Sequence, residues 1–374
     1  MPLQSFADLG VSKQVDAALA AGGIVTPFPI QALVIADVLA GRDVLAQAPT
    51  GSGKTLAFGV PLVERLSTGD RRPAALVLAP TRELASQIAD ELRPLARSRD
   101  LSVAVVYGGV GIEKQARRAA TAHILVATPG RLEDLLHRGA LTLERVRILV
   151  VDEGDRMLDM GFRPALDRIV ALTPDDRQTL FFSATLEGPA GARAREYTRN
   201  PTRHRHSPPA DQHARVQHRF IHLTHEGKLE ALVRELRRDR DGRKLVFVRT
   251  KRGADRLVKR LKAHDLKAVA MHGDKSQSQR EKALAHFDAG RVTTLVATDV
   301  AARGIDVADI TQVINFDMPP DQDAYVHRIG RTGRAGRDGA GVSFVLADQR
   351  EEMRRIASKL GLSREFDSSV KRRA

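Results

Sequence analysis

The sequence has no cysteine and no tryptophan among its 374 residues, and aromatic residues make up only 4% of it. The lack of cysteine excludes a disulfide scaffold, a Cys-ligated zinc site and thiol catalysis. It fits a reducing compartment, and a cytoplasmic location is expected. No run of about 18 apolar residues occurs, so no membrane span is expected. The opening Met-Pro-Leu-Gln-Ser-Phe-Ala-Asp lacks a basic start followed by an apolar stretch, so no secretory signal is expected.

Apolar residues reach 42%, enough for real cores, so wholesale disorder is excluded. At roughly 150 residues per domain the length fits two domains. Lys and Arg number 60 against 46 Asp and Glu, a net of +14. Residues 1–200 carry 24 basic and 23 acidic residues, and residues 201–374 carry 36 and 23. The excess therefore lies in the second half. That fits a polyanionic partner, and by charge alone it fits a solvated Arg-rich surface equally well.

Short runs rich in Val, Ile and Leu alternate with longer helical patterns. In the first half the runs are Asp43–Gln47, Ala75–Ala79, Val103–Val106, Ile124–Thr128, Ile148–Asp152 and Thr179–Ser183. Helical patterns include Thr55–Ser67, Arg82–Arg97 and Leu158–Leu172. The runs are near-continuous rather than alternating, the mark of strands buried on both faces. The second half repeats the plan, with runs at His218–Leu223, Lys244–Val248, Lys267–Met271, Thr293–Thr298, Gln312–Phe316 and Gly341–Leu346. Helices are expected at Lys251–His264 and Gln277–Asp288. The expected class is α/β, two tandem domains that are each a mostly parallel sheet with helices on both faces. Residues 200–213 hold three prolines and clustered histidines and read as a linker. The expected division is residues 1–205, a linker at 206–213, and residues 214–374 with a short basic tail.

Ala48-Pro49-Thr50-Gly51-Ser52-Gly53-Lys54-Thr55 follows the first strand and opens the first long helix. A phosphate-cradling loop belongs there. Gly51 and Gly53 let backbone N–H groups approach phosphate oxygens, and the helix start adds partial positive charge. Lys54 would reach the β- and γ-phosphates of ATP, and the Thr55 hydroxyl would ligate Mg²⁺. The usual pattern begins with Gly where this chain has Ala48; an ordinary Gly-rich turn is the plain alternative.

Asp152-Glu153 ends a buried strand, where side chains face the ligand crevice of a parallel sheet. Asp152 would hold Mg²⁺ through water, and Glu153 would orient and deprotonate the attacking water. Capping of the next helix is the alternative. Thr55, Asp152 and Glu153 are thus the candidate metal set. Ser183-Ala184-Thr185, with Glu187 nearby, reads most simply as a helix N-cap. His327-Arg328-Ile329-Gly330-Arg331-Thr332-Gly333-Arg334-Ala335-Gly336-Arg337 is the densest feature of the second half. It is too short for a collagen-like repeat, and the strand that follows makes it internal. Guanidiniums presented to phosphate are the remaining reading.

In chain order these elements resemble the DEAD-box RNA helicase core, two RecA-like domains. The likeness runs through Phe6, Gly23–Gln31, the phosphate loop, Pro80–Ala85, Gly108-Gly109, Thr128–Arg131, the acidic strand end and Ser183–Thr185. It continues through Val246–Thr250, His272–Asp274, Gln277 with Arg280, Ala297–Asp306 and the arginine run. The resemblance implies an ATP-hydrolysing RNA helicase that separates short duplexes locally and non-processively, or remodels RNA–protein particles. An ATP-gated RNA clamp with little unwinding is its alternative. A DNA helicase and a protein that has lost catalysis are weaker readings.

It also assigns roles. Gln31 would bond the adenine edge and Phe6 would stack on its face. Lys54, Glu153, Arg331 and Arg334 would be catalytic, the arginines as fingers, and Asp306 would touch the ribose. Asp155, Ser183, Thr185, His327 and Arg328 would couple the domains, which reduces the N-cap reading of Ser183–Thr185 to a minor part. RNA would be contacted by Thr81, Arg82, Gly109, Thr128, Gly130 and Arg131, and by Thr250, Gly273, Arg280, Thr298 and Asp299. Such contacts go mainly to phosphate and 2′-OH, which implies little sequence preference. A monomer is expected.

Three departures stand out. Gly154 replaces the Ala of the Asp-Glu-Ala-Asp tetrad, Ile24 stands where an aromatic is usual, and Phe28 where Thr is usual. Restoring Ala at position 154 is expected to leave ATP affinity nearly unchanged and to leave or raise unwinding. No added RNA-binding module is expected after Leu346.

Overall fold

The computed structural model describes residues 5–49, 51–206, 216–238, 242–302, 307, 310–333 and 338–371. The chain divides into two compact units, Met1–Ser207 and Pro208–Ala374.

In the first unit the strands are β1 (Val44–Gln47), β2 (Ala75–Leu78), β3 (Val103–Val106), β4 (Ile124–Ala127), β5 (Ile148–Val151), β6 (Gln178–Ser183) and β7 (Thr202–Arg205). They lie in the order β3-β4-β2-β5-β6-β1-β7, and every described pair is parallel. Helices α1 (Lys13–Ala21), α2 (Pro29–Leu39), α3 (Lys54–Arg65) and α4 (Arg82–Arg97) pack on one face. Helices α5 (Ile112–Ala119), α6 (Pro129–His137), α7 (Gly154–Asp159), α8 (Arg163–Ala171) and α9 (Gly188–Tyr197) pack on the other. Strand alternation feeds both cores: Val44 and Ala46 point into the first, Leu45 into the second. This is why β2, β3, β4 and β5 are apolar at every position.

Two sequence expectations need correction here. The linker reading covered residues 200–213, yet Thr202–Arg205 form β7, paired with β1 in register from Val44 opposite Thr202 to Gln47 opposite Arg205. β7 is an edge strand whose residues alternate between half-buried and exposed. It needs no apolar run, and so carried no strand signal. The single helix read at Leu158–Leu172 is two helices, α7 and α8, separated by a turn at Met160–Phe162.

The second unit holds β8 (Val216–His222), β9 (Arg243–Phe247), β10 (Ala268–Met271), β11 (Thr294–Ala297), β12 (Ile310–Asn315) and β13 (Gly339–Val345), in the order β10-β11-β9-β12-β13-β8, again all parallel. Helices α10 (Lys228–Arg238) and α11 (Lys251–Lys262) cover one face. On the other lie α12 (Gln277–Asp288), α13 (Asp299–Ala302), α14 (Gln322–Ile329), α15 (Arg350–Lys359) and α16 (Ser363–Lys371). The α/β class read from the sequence is the class found. Among the described residues no helix is long and apolar enough to cross a membrane.

Candidate active site

The loops that follow β1, β2, β3, β4, β5 and β6 all leave the carboxyl edge of the first sheet. Strand order sorts them into two neighbouring groups. β5, β6 and β1 carry the phosphate loop, the acids and Ser183–Thr185. β3, β4 and β2 carry Thr81, Arg82, Gly109, Thr128, Gly130 and Arg131.

Ala48 is buried, and its N–H donates to the Ser183 carbonyl at 3.0 Å, which extends the β1–β6 ladder into the loop. Gly53 caps α3 at φ +87, and a Cβ there would fall 2.6 Å from Gln31 Nε2. Only glycine fits both demands. Gln31 is buried; its Nε2 donates to the Gly53 carbonyl at 3.0 Å, and its Oε1 accepts from the Phe28 N–H at 2.9 Å. It thus ties the start of α2 to the phosphate loop. Lys54 is buried and its Nζ donates to the carbonyls of Ala48 at 2.9 Å and Pro49 at 3.4 Å, while Ser52 Oγ donates to Pro49 at 2.8 Å. Gly51 and Thr55 lie on the same loop and first helical turn. Thr50 lies outside the described residues.

Asp152 is buried, and its Oδ1 accepts the Glu153 N–H at 3.0 Å. Burial pushes its carboxyl up to about 7; Lys54 opposes the shift and Glu153 adds to it. Glu153 sits at φ +53, a region non-glycine residues rarely occupy, and its Oε2 accepts from Nη1 of buried Arg156. The helix-capping alternative fails, because Glu153 precedes α7 without a side-chain cap bond. Asp155 reaches across to β6: its Oδ2 accepts from the N–H groups of Ala184 at 3.1 Å and Thr185 at 3.0 Å. Ser183 Oγ in turn accepts from the Asp155 N–H at 3.4 Å. The N-cap reading of Ser183 and Thr185 is therefore corrected. Glu187 occupies the cap position of α9, and the triplet is bonded to Asp155 instead.

This donor set suits a nucleotide bound with Mg²⁺. Mg²⁺ keeps several waters and takes one or two carboxylates plus substrate phosphate oxygens, so Thr55 and Asp152 suffice beside a triphosphate. The described residues hold no cluster of three or more His, Cys, Asp or Glu that would bind a metal by itself.

Phe6 differs from its expected place. It is fully buried in the core with Leu9, Val11 and Ile30, so its ring presents no open face. The exposed aromatic beside the loop is Phe28, 56% exposed, whose Cδ2 lies 2.6 Å from where a Gly53 Cβ would stand. The sequence singled out Phe28 only as a departure.

On the neighbouring strands Thr81 Oγ1 caps α4 by accepting the Leu84 N–H at 3.3 Å. The Arg82 guanidinium lies along Gly108 and Gly109, and Gly109 is at φ +87. Thr128 precedes α6, beyond Gly130 there is open space, and Arg131 Nη1 donates to the Val110 carbonyl at 3.1 Å and to Gln115 Oε1 at 3.3 Å. Gln115 also brackets the Tyr107 backbone, at 3.1 Å on both its N–H and its carbonyl. It is a support that the sequence did not reveal.

In the second unit Thr250 caps α11, Gly273 follows β10, buried Arg280 lies on α12, and Thr298 and Asp299 follow β11. Arg328 is buried and forms a forked pair with Asp299 at 2.6 and 2.7 Å. Its Nη1 donates to Asn315 Oδ1 at 3.2 Å and to the Asp317 carbonyl at 2.7 Å. These donors are taken up within its own unit, a bracing role that the expected link to Ser183 and Thr185 did not include. Arg331 is buried and its Nε donates to the His327 carbonyl at 3.3 Å. Asp306 and Arg334 lie outside the described residues.

A phosphate loop and an acidic strand end on one parallel sheet, followed by a second parallel-sheet unit, define an ATP-hydrolysing motor of the helicase type. Residues 28–191 match the DEAD/DEAH box helicase family and residues 227–336 the helicase conserved C-terminal domain. The chain is 41% identical to the DEAD-box ATP-dependent RNA helicase CshA of Geobacillus kaustophilus, over 92% of this chain and 74% of that one. It is 38% identical to its counterpart in Bacillus subtilis, over 94% and 72%. Among solved structures it is similar to S. cerevisiae Dbp5 bound to RNA and ADP BeF3, with TM-score 0.87 and 29% identity over 96% of this chain and 94% of that one. It is also similar to a DEAD box protein from Methanococcus jannaschii, with TM-score 0.56 and 37% identity over 96% and 97%. The chain belongs to the DEAD-box ATP-dependent RNA helicases, and it is an ATP-hydrolysing enzyme with tandem RecA-like domains.

Proposed function

We propose that ATP and RNA bind cooperatively and draw the two units together, so that one strand is held in a path a duplex cannot follow. A short duplex then loses its partner strand, and hydrolysis with phosphate release lets the units part. Residues 1–205 would carry ATP, 206–213 the tether, and 214–374 the arginines.

The observation that carries this reading is the division of one sheet edge. The phosphate loop, Asp152-Glu153 and Ser183–Thr185 follow or end β1, β5 and β6, and the residues read as RNA contacts follow the neighbouring β3, β4 and β2, which supports separate nucleotide and RNA sites on one edge. Lys54 would support the β- and γ-phosphates, and Thr55 and Asp152 would hold Mg²⁺. When bound, the ion neutralises phosphate charge and orients the γ-phosphoryl group. Glu153 takes a proton from the attacking water. Its hydrogen bond with Arg156 fixes the carboxylate's direction, and Asp155 carries the state of this strand end to Ser183–Thr185. Arg331 and Arg334 supply positive charge to the transferring group. Gln31 holds the loop and the base edge. The arrays at Thr81–Arg82, Gly109 and Thr128–Arg131, and at Thr250, Gly273, Arg280 and Thr298–Asp299, grip phosphate and 2′-OH with little sequence preference. The protein acts as a monomer in the cytoplasm.

The deciding experiment measures ATP hydrolysis without nucleic acid and with RNA or DNA of matched sequence, alongside displacement of a short RNA duplex. RNA-specific stimulation with strand separation is expected. Stimulation without separation would favour a clamp, and no response to RNA would end the proposal.

A further inference from the structure

At the opposite, amino-terminal edge of the first sheet, the segments leading into β1, β2, β5, β6 and β7 ring a cavity of about 980 Å³. Seven arginines and four carboxylates line it, and no aromatic side chain does. Two of the acids are already engaged. Asp43 accepts the N–H groups of Thr179 at 2.8 Å and Arg199 at 2.6 Å, and Asp70 holds Arg147 at 2.7 Å and the Ser67 N–H at 2.8 Å.

The arginines are less well satisfied. Arg65 and Arg177 are half-buried and bonded to carbonyls: Arg65 Nη1 to Leu39 at 2.9 Å, and Arg177 Nη1 to Pro174 at 2.9 Å. The Nε of each is buried with no partner. Burial disfavours the charge on both. Arg147 adds repulsion at Arg65, and Arg199 adds it at Arg177 against the opposing pull of Asp175 and Asp43. Arg71, Arg145 and Arg199 stand exposed at the rim, and none of the three makes an ion pair among the described residues. Guanidiniums held close together in a concave, partly dry site are stabilised by an anion that bridges them.

We propose that this cavity binds a small polyphosphorylated anion, at a site separate from the ATP loop. Its volume falls in the range of small-molecule sites. Its lining offers forked donors for phosphate oxygens that converge on one bounded concavity, which favours a compact polyanion over an extended RNA segment. The site touches the last residue of α3, Arg65, whereas Lys54 is the first residue of that helix. A twelve-residue helix therefore separates the two phosphate sites by roughly 18 Å.

The test uses the full chain saturated with a non-hydrolysable ATP analogue, free Mg²⁺ matched throughout, so that the phosphate loop is filled. Inorganic tripolyphosphate is then titrated calorimetrically. One further saturable site is expected. The rim variant Arg71→Gln/Arg199→Gln, which leaves the half-buried arginines and the fold in place, should weaken it about tenfold or more, with ATP hydrolysis in the absence of the probe unchanged. Three results overturn the proposal: no second site in the parent protein, tripolyphosphate affinity unchanged in the rim variant, or a parent that binds no tripolyphosphate while the rim variant loses RNA affinity. The last would make the cavity an RNA-backbone contact.

Discussion

Phe181, on β6, lies directly against Gly154, the first residue of α7: a Cβ built on the glycine would fall 2.5 Å from Cε1 and 2.9 Å from Cε2 of the ring. Both residues are buried, and Phe181 also packs on Tyr197 with ring centroids 6.5 Å apart. The glycine of this tetrad is thus the counterpart of a large neighbour. The two fit together as small and large, and the volume of an Ala methyl is already filled by the ring. The expectation that Ala at 154 leaves ATP affinity unchanged and leaves or raises unwinding considered only backbone freedom, and the packing argues against it.

Gly154→Ala should therefore destabilise the first unit by roughly 1–3 kcal/mol, as overpacked cores do. It should also lower ATP turnover by shifting Glu153 and Asp155. Gly154→Ala/Phe181→Leu should recover most of both losses, because the shorter side chain vacates the methyl's place. Denaturant melts and ATPase rates of the four members of this cycle check it. An Ala variant as stable as the parent would refute the packing argument.

The nucleotide chemistry separates at two positions. Lys54→Ala should weaken ATP binding and turnover together. Glu153→Gln keeps a hydrogen-bonding group for Arg156 and should retain ATP and RNA while hydrolysis falls by about 10²–10⁴. Equilibrium binding beside single-turnover hydrolysis distinguishes them. Undiminished turnover in Glu153→Gln would remove the proposed base.

How much of this was legible depended on whether the signal was local. β2, β4 and β5 could be read because burial on both faces demands continuous Val, Ile and Leu, and the phosphate loop because its residues act within eight positions of one another. β7 was hidden because an edge strand needs no apolar pattern. The Phe181–Gly154 contact joins residues 27 positions apart, and Arg328 gathers Asp299, Asn315 and Asp317 from 11 to 29 positions away. No sequence periodicity encodes such partners. Phe6 shows the same limit, since a lone aromatic does not reveal whether its ring faces a ligand or a core.

Asp152 gives the pH dependence a sign. The unfolded carboxyl titrates near 3.8 and the buried one near about 7, so within that window the folded protein holds a proton that the unfolded chain releases. Without nucleotide, the stability of the first unit should be greatest below the lower value and decline as pH rises through the upper one. Asp152→Asn, neutral throughout, should flatten the decline. Melting midpoints between about pH 4 and pH 8 test this, and equal slopes in the two proteins would exclude Asp152 as the source.

Gly109→Ala should act on RNA rather than on ATP. The residue stands at φ +87, and the Arg82 guanidinium occupies the side where a Cβ would project, with Nη2 at 3.2 Å. A methyl there strains the backbone and pushes Arg82 off the loop. RNA affinity should fall about tenfold, the scale of one lost charged hydrogen bond, with ATP hydrolysis in the absence of RNA unchanged. An equal fall in both activities would mean that the loop serves the nucleotide site instead.

Asp299 and Arg328 lead to a last prediction, because the resemblance gave them separate tasks and the structure joins them. The Arg328 side chain is 2% exposed and that of Asp299 27%. Asp299→Asn removes the charge that compensates a buried guanidinium, and breaking a buried pair from one side costs about 3–5 kcal/mol. The second unit should lose that stability even without RNA. Reduced RNA binding would then follow from loosening of the strand end at Thr298 as well as from removal of any bond that RNA makes to the Asp299 carboxylate. Hydrogen exchange at the ends of β11 and β12 separates the causes. Faster exchange at both in Asp299→Asn is expected, and unaltered exchange with weakened RNA binding would return Asp299 to a purely RNA-contacting role.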